Sequence, residues 1–236
     1  VRFRLPLTAA LILLLLTVLV AGGWWLRYGR GVSQRSRQVM AWLRTPQAHP
    51  DWGVRAGTRC GAAPFTFPTD GYIGFLWDDS FRPGHRHQGI DIFGGQEPGL
   101  TPVQAAYGGF LTRRPDWKSS LIIRIPADPL QPDRQIWAYY THLADPAGSS
   151  LISAEFPPGV SEIPVVAGQF LGYQGNFSGT PDSPVGVHLH FSLVQDDHGA
   201  FLNELKLANT LDPSPYFGFN LNAHQNRGEI PQCAAP

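Results

Sequence analysis

The stretch VGVHLHFSL, Val185 to Leu193, decides how the chain is read. In an extended segment Val187, Leu189, Phe191 and Leu193 fall on one face, and His188, His190 and Ser192 on the other. The pattern predicts a buried strand that presents two imidazoles in the same direction. Neutral imidazole is both a metal ligand and a base that works near neutral pH, so two on one strand face suit a metal, or a metal with a proton carrier. A hydrogen-bonded histidine pair lining a groove is the plainer alternative, and His-x-His by itself does not choose between them.

The surroundings favour a β-rich domain. The chain has 236 residues, enough for one good-sized domain with appendages; only 15% are charged, while 26 Gly and 22 Pro punctuate it, which predicts short strands joined by turns. Besides Val187–Val194, the runs SSLIIRIP (119–126), QIWAYYTHL (135–143) and VVAGQFLGY (165–173) read as antiparallel strands of an all-β fold. Residues 1–60 carry nine Arg and one Asp, and the remainder nine Lys or Arg against seventeen Asp or Glu, so the two parts are +8 and −8. An acidic body is a poor partner for phosphate backbones, and nucleic acid is set aside.

Four segments are expected. Residues 1–27 contain an uncharged run from Leu5 to Leu26, long enough at about 20 residues to span a bilayer, with Trp24 and Trp25 placed as an interfacial belt. This predicts a membrane anchor rather than a cleaved signal peptide, the run being longer than a usual signal core and lacking a clean A-x-A; secretion after cleavage is the alternative. Residues 28–59 read as a basic juxtamembrane linker, weakly helical around Val32–Leu43 and broken at Pro46 and Pro50. The folded domain is expected over 60–220, followed by an irregular tail, 221–236. Cys60 and Cys233 bracket the acidic body, a staple if that body lies outside the cytoplasm.

Of the other histidines, His49, His198 and His224 fall in linker, turn and tail. HRHQGIDIF, by contrast, holds His85 and His87 with Asp91 four residues past His87. In an extended or bulged strand His87, Gly89 and Asp91 share a face, so that imidazole and carboxylate converge on one ion while Gly89 leaves it room. A lone Asp in GIDIF is costly to bury, and a metal resolves that cost. His142, in YYTHLAD, closes another strand.

HRHQGIDI, YTHL and GVHLHFSL, in that order, resemble the H-x-G-x-D, Y-x-H-L and H-L-H-F signatures of the M23 family of zinc metallopeptidases, the lysostaphin-like or LytM-type peptidoglycan endopeptidases. The resemblance runs from about Phe65 to Phe217. It implies an antiparallel β-sheet core with loops closing a substrate groove. It also implies one Zn2+ held by His87, Asp91 and His190, with His142 and His188 as the catalytic histidines. Two imidazoles and a carboxylate leave a fourth position open for water, as such chemistry needs. His85 stands outside the matched motif and is read as a groove-edge residue. Three departures are noted: Leu100 where Gly is usual, Ser192 where an acidic residue often follows H-L-H-F, and TPDSP (180–184) lengthening the loop before the histidine pair. The expected function is a membrane-anchored, extracytoplasmic endopeptidase cutting peptidoglycan stem peptides or cross-bridges, a substrate that overrides the charge bias of Arg27, Arg30, Arg35 and Arg37 towards a cytoplasmic body. The alternative is a non-catalytic regulator that binds wall or activates a separate amidase; any regulatory protein partner stays unidentified.

Overall fold

The computed structural model describes residues 16–18, 33–80, 84–226 and 228–233. The chain divides into two compact units, Val1–Gln34 and Arg35–Pro236. The first is described only at Leu16–Val18, which are helical, and at Ser33 and Gln34. No helix among the described residues is long and apolar enough to cross a membrane; the expected span, Leu5 to Leu26, lies outside them apart from that one turn.

In chain order the elements from Gln34 onwards are α1 (Gln34–Arg44), β1 (Gly53–Val54), β2 (Gly71–Phe75), β3 (Ile90–Phe93), β4 (Pro102–Gln104), β5 (Gly109–Thr112), β6 (Leu121–Ile125), β7 (Ile136–Thr141), β8 (Ile163–Val165), β9 (Phe170–Tyr173), β10 (Leu189–Asp197), β11 (Ala200–Phe201), β12 (Thr210–Leu211) and α2 (Ser214–Phe217). The main sheet runs β1-β2-β3-β10-β7-β6-β5-β8, with β11 and β12 also on β10; β4 and β9 form a second, two-stranded sheet. Every named strand pair is antiparallel.

The alternation of the opening stretch is realised in β10. Leu189, Phe191 and Leu193 are fully buried in the main core, and the Phe191 ring meets Tyr140 at 5.1 Å and Phe217 at 5.6 Å. Burying each such side chain contributes about 1.5–3 kcal/mol, and a one-residue slip would turn all three to the wrong face. Register is therefore fixed by the core. That same register sets His190 opposite Asp91 on β3 and opposite Thr141, the last residue of β7, on the other side.

VVAGQFLGY is not one strand. A turn at Val166–Gln169, with Gly168 at φ 84°, sends Ile163–Val165 to pair with β5 and Phe170–Tyr173 to pair with β4 in the smaller sheet. The helical stretch expected around Val32–Leu43 is α1, and it packs on the sheet. α1 buries Val39 and Trp42 against Tyr72 and Phe93, and the Trp42 indole N–H donates to the Phe93 carbonyl at 2.7 Å. Arg35 is buried too, paired with Asp79 at 3.0 Å and donating to the Asn226 carbonyl at 2.9 Å. Residues 221–226 and 228–233 are irregular but packed: Leu221 is in the core, and a Cys60–Cys233 disulfide, Cα atoms 5.4 Å apart, closes a 173-residue separation.

Candidate active site

His87, Asp91 and His190 meet behind the core. The His87 Nε2 lies 3.0 Å from Asp91 Oδ1 and 3.0 Å from His190 Nδ1, and His190 Nδ1 lies 2.8 Å from the same Oδ1. All three residues are buried. The outer nitrogens are occupied: His87 Nδ1–H donates to the Leu76 carbonyl at 2.9 Å, and His190 Nε2 faces Ser192 Oγ at 2.8 Å. With Nε2–H directed at that hydroxyl, the two inner nitrogens turn lone pairs towards each other and towards a carboxylate. Three electron-rich atoms at such separations form a set that could hold a cation. Tetrahedral zinc with bonds of about 2.0–2.1 Å would hold its ligand atoms about 3.3 Å apart, so the set fits with small adjustment.

Charge in the metal-free site follows the same logic. Burial opposes ionisation of Asp91, yet the imidazoles of His87 and His188 and the hydrogen bonds from His190 and His87 hold its carboxyl well below the usual range. Burial also pulls on His87, but Asp91 and the Leu76 carbonyl outweigh it and raise that imidazole. His190 is pushed by burial down to about 4.

Two further imidazoles face this centre. His188 Nδ1–H donates to the Gly186 carbonyl at 2.6 Å, its ring stacks on Phe93 at 4.9 Å, and its Nε2 is 3.5 Å from Asp91 Oδ1. His142 Nδ1–H donates to the Phe177 carbonyl at 2.7 Å, and its ring centre is 4.5 Å from that of His188. Each thus has Nδ1 committed and Nε2 available. Burial keeps both neutral, His188 down at about 4 and His142 below the ordinary histidine range. His142 ends β7 in a left-handed conformation, φ 70°. Gly175 threads between the two, bridging His188, and a Cβ on it would strike the carbonyls of His142 and Ala144.

All five side chains line a cleft of about 670 Å³. Val39, Met40 and Leu43 of α1 form part of its wall, and His85 is at its edge. No protein-family model matches the chain, and no curated protein matches it. Solved structures do resemble it. Csd3 of Helicobacter pylori is 17% identical over 65% of this chain and 34% of that one, with a TM-score of 0.39. The catalytic domain of the antimicrobial peptidase lysostaphin from Staphylococcus simulans is 20% identical over 63% and 90%, TM-score 0.39. A variant catalytic domain of the prophage-encoded M23 protein EnpA from Enterococcus faecalis is 22% identical over 63% and 95%, TM-score 0.36. The chain spans about a third of Csd3 and nine-tenths or more of the other two.

The structure brings together the five residues singled out in the sequence. A Cβ on Gly89 would strike the Phe191 carbonyl and Ser192 Oγ, so its bareness admits the close approach of β10. Ser192 itself, Glu204 and the α1 wall were not anticipated as parts of the site. For Ser192 the signal was its place two residues beyond His190 on the same strand face.

Proposed function

We propose that the chain is a zinc-dependent endopeptidase of the M23 type, anchored in a membrane with its body outside the cytoplasm, that hydrolyses peptide bonds in peptidoglycan stem peptides or cross-bridges. The observation that carries this reading is the pairing of a three-ligand centre, His87, Asp91 and His190, with two neutral imidazoles that hold Nε2 towards the same cleft. A zinc ion at that centre would polarise the scissile carbonyl and lower the pKa of a water towards about 7. His142 and His188, fixed by the Phe177 and Gly186 carbonyls, receive the proton of the attacking water at Nε2 and return it to the leaving amine. Whichever imidazole is protonated then faces the developing oxyanion with an N–H. The Cys60–Cys233 disulfide supports an oxidising compartment for the body, and the run Leu5 to Leu26 supports the anchor.

The test is digestion of purified peptidoglycan by the full chain in mild detergent, zinc-loaded or chelator-treated, with mass analysis of the released fragments. New amino and carboxyl ends at a stem or cross-bridge bond, lost on chelation, are the expected result. Folded, zinc-loaded protein that releases no peptide fragments from walls of several chemistries would overturn the reading.

A further inference from the structure

The end of the chain runs across α1. Arg35 Nη2 donates to the Asn226 carbonyl at 2.9 Å and to Asn226 Oδ1 at 3.1 Å, and Gln38 Nε2 donates to the Gly228 carbonyl at 3.1 Å. Ile230 packs against the cluster of Val39, Trp42, Tyr72 and Phe93, and Gln232 Nε2 donates to the Asp51 carbonyl just past the helix. The next residue, Cys233, is bonded to Cys60, which belongs to the main core. The tail thus meets α1 turn by turn and is fastened beyond it by a covalent bond.

α1 depends on that strap. At 11 residues it is shorter than the roughly 12–15 below which isolated helices are marginal, so packing has to hold it. Val39, Trp42 and Leu43 supply the apolar contact, but one turn earlier stands Arg35, a buried guanidinium that pairs with Asp79 on the body and Asn226 on the tail, while its Nη1 is without a hydrogen-bond partner among the described residues. Without Asn226 more of that charge is buried unpaired, which favours release of the helix. The strap depends in turn on its bond. Gly228 to Cys233 belong to no strand or helix, and a few partly exposed hydrogen bonds do not outweigh the entropy of ordering irregular chain.

What α1 supports lies in the cleft. Val39, Met40 and Leu43 are in its wall, and Trp42 fixes the carbonyl of Phe93, whose ring stacks on His188. We infer that the Cys60–Cys233 bond is a redox latch on the cleft: closed, it straps α1 in place and completes the wall; open, it frees the tail and α1 while the centre of His87, Asp91 and His190 stays whole. The bond closes by exchange with a disulfide donor: Cys60 and Cys233 give up two electrons and two protons, and the donor's two sulfurs leave as thiols. An excess of thiol reverses the step. A chain in a reducing compartment would therefore carry all three ligands beside an unfinished cleft. The inference rests on the peptidase reading for the activity that the latch controls, and not for the release of α1.

The experiment compares hydrogen exchange, zinc content and peptidoglycan cleavage of the full chain in mild detergent, oxidised and after reduction by a phosphine, which takes the oxygen of a water as the two thiols form. Thiol labelling confirms that the bond is open. Reduction should speed exchange of the α1 amides at least about tenfold more than that of the β10 amides. It should leave bound zinc unchanged and lower cleavage by about 10–10²-fold, and reoxidation should restore both helix protection and cleavage. Cys233→Ser should match the reduced protein without any reagent, and Ile230→Asp should loosen α1 with the bond intact. α1 amides that stay protected in the opened protein, α1 and β10 amides that accelerate equally, or zinc lost with the bond would each overturn the latch. Cleavage that is unchanged once α1 is loose would overturn it too and leave the peptidase reading standing. Release of α1 at constant zinc, in a protein that cuts no peptidoglycan in either state, would uphold the strap and remove the peptidase reading.

Discussion

His190 Nε2 lies 2.8 Å from Ser192 Oγ, two residues along the same strand face. The hydroxyl fixes the ring so that Nδ1 points at Asp91, which makes Ser192 the residue that selects the nitrogen the proposed zinc would take. Removing it should loosen the ligand without removing it. Ser192→Ala is expected to lower zinc affinity by about 10–100-fold, measured by competition with a chromogenic chelator, with the far-ultraviolet spectrum unchanged. Unaltered affinity would mean that the strand alone orients His190.

The two halves of the histidine pair should fail differently. His190→Ala is expected to lose both zinc and cleavage. His188→Ala and His142→Ala should each retain zinc and lose cleavage by about 10²–10⁴, the contribution of a positioned acid–base group. Zinc content measured beside peptidoglycan cleavage decides it; full activity in His188→Ala would remove that residue from the chemistry.

Gly175 is a test of how closely the two proton-handling imidazoles must be spaced. Gly175→Ala forces its new methyl against the carbonyls of His142 and Ala144. We expect a loss of about 1–3 kcal/mol in urea unfolding and a larger proportional loss of cleavage, with zinc retained. A variant of normal activity would show that the His142 segment shifts without consequence.

Acid should destabilise the metal-free protein. His188 and His190 stay unprotonated in the folded state down to about pH 4, whereas the unfolded chain protonates them near 6.5. The unfolded state therefore binds more protons between those limits, and stability falls as pH falls from about 6.5 to about 4. His87, whose pKa is raised, contributes its share below its unfolded value and loses it only as pH rises, so it does not offset that slope. Thermal midpoints of the chelator-treated protein across this range should fall steadily; a flat profile would contradict the burial assigned to the two rings.

Opening the Cys60–Cys233 bridge frees a 173-residue separation. Cys60→Ser is expected to cost about 3–5 kcal/mol in the chain-entropy view, read as a lower denaturation midpoint at unchanged zinc content. An unchanged midpoint would show that the packed tail holds without it.

The site was legible in the sequence to the extent that it is written on strands. Strict alternation through Leu189, Phe191 and Leu193 fixes which way His188 and His190 point, and the short motifs carry His87, Asp91 and His142 with them. Pairing across strands was not legible: nothing local says that His190 lies opposite Asp91, because register depends on the whole core. The packing of α1 escaped for a different reason. Its apolar stripe is short, Val39 with Trp42 and Leu43, and one turn earlier the same face carries Arg35, a charge buried only because Asp79 and Asn226 come from far along the chain to meet it. Glu204 was invisible because a single acidic residue in a polar loop is ordinary until the fold shows what it overlooks.

The α1 contacts also redraw the limits of the piece on which the proposed activity can be tested. Trp42 holds the carbonyl of Phe93, the Phe93 ring carries His188, and Val39, Met40 and Leu43 face the cleft directly. A fragment that starts at Cys60 would retain every ligand and both acid–base histidines, yet it would lack a brace behind one of them and part of the surface a peptide lies on. The smallest piece that can be judged for activity starts no later than Arg35, and silence from anything shorter would be a property of the cut.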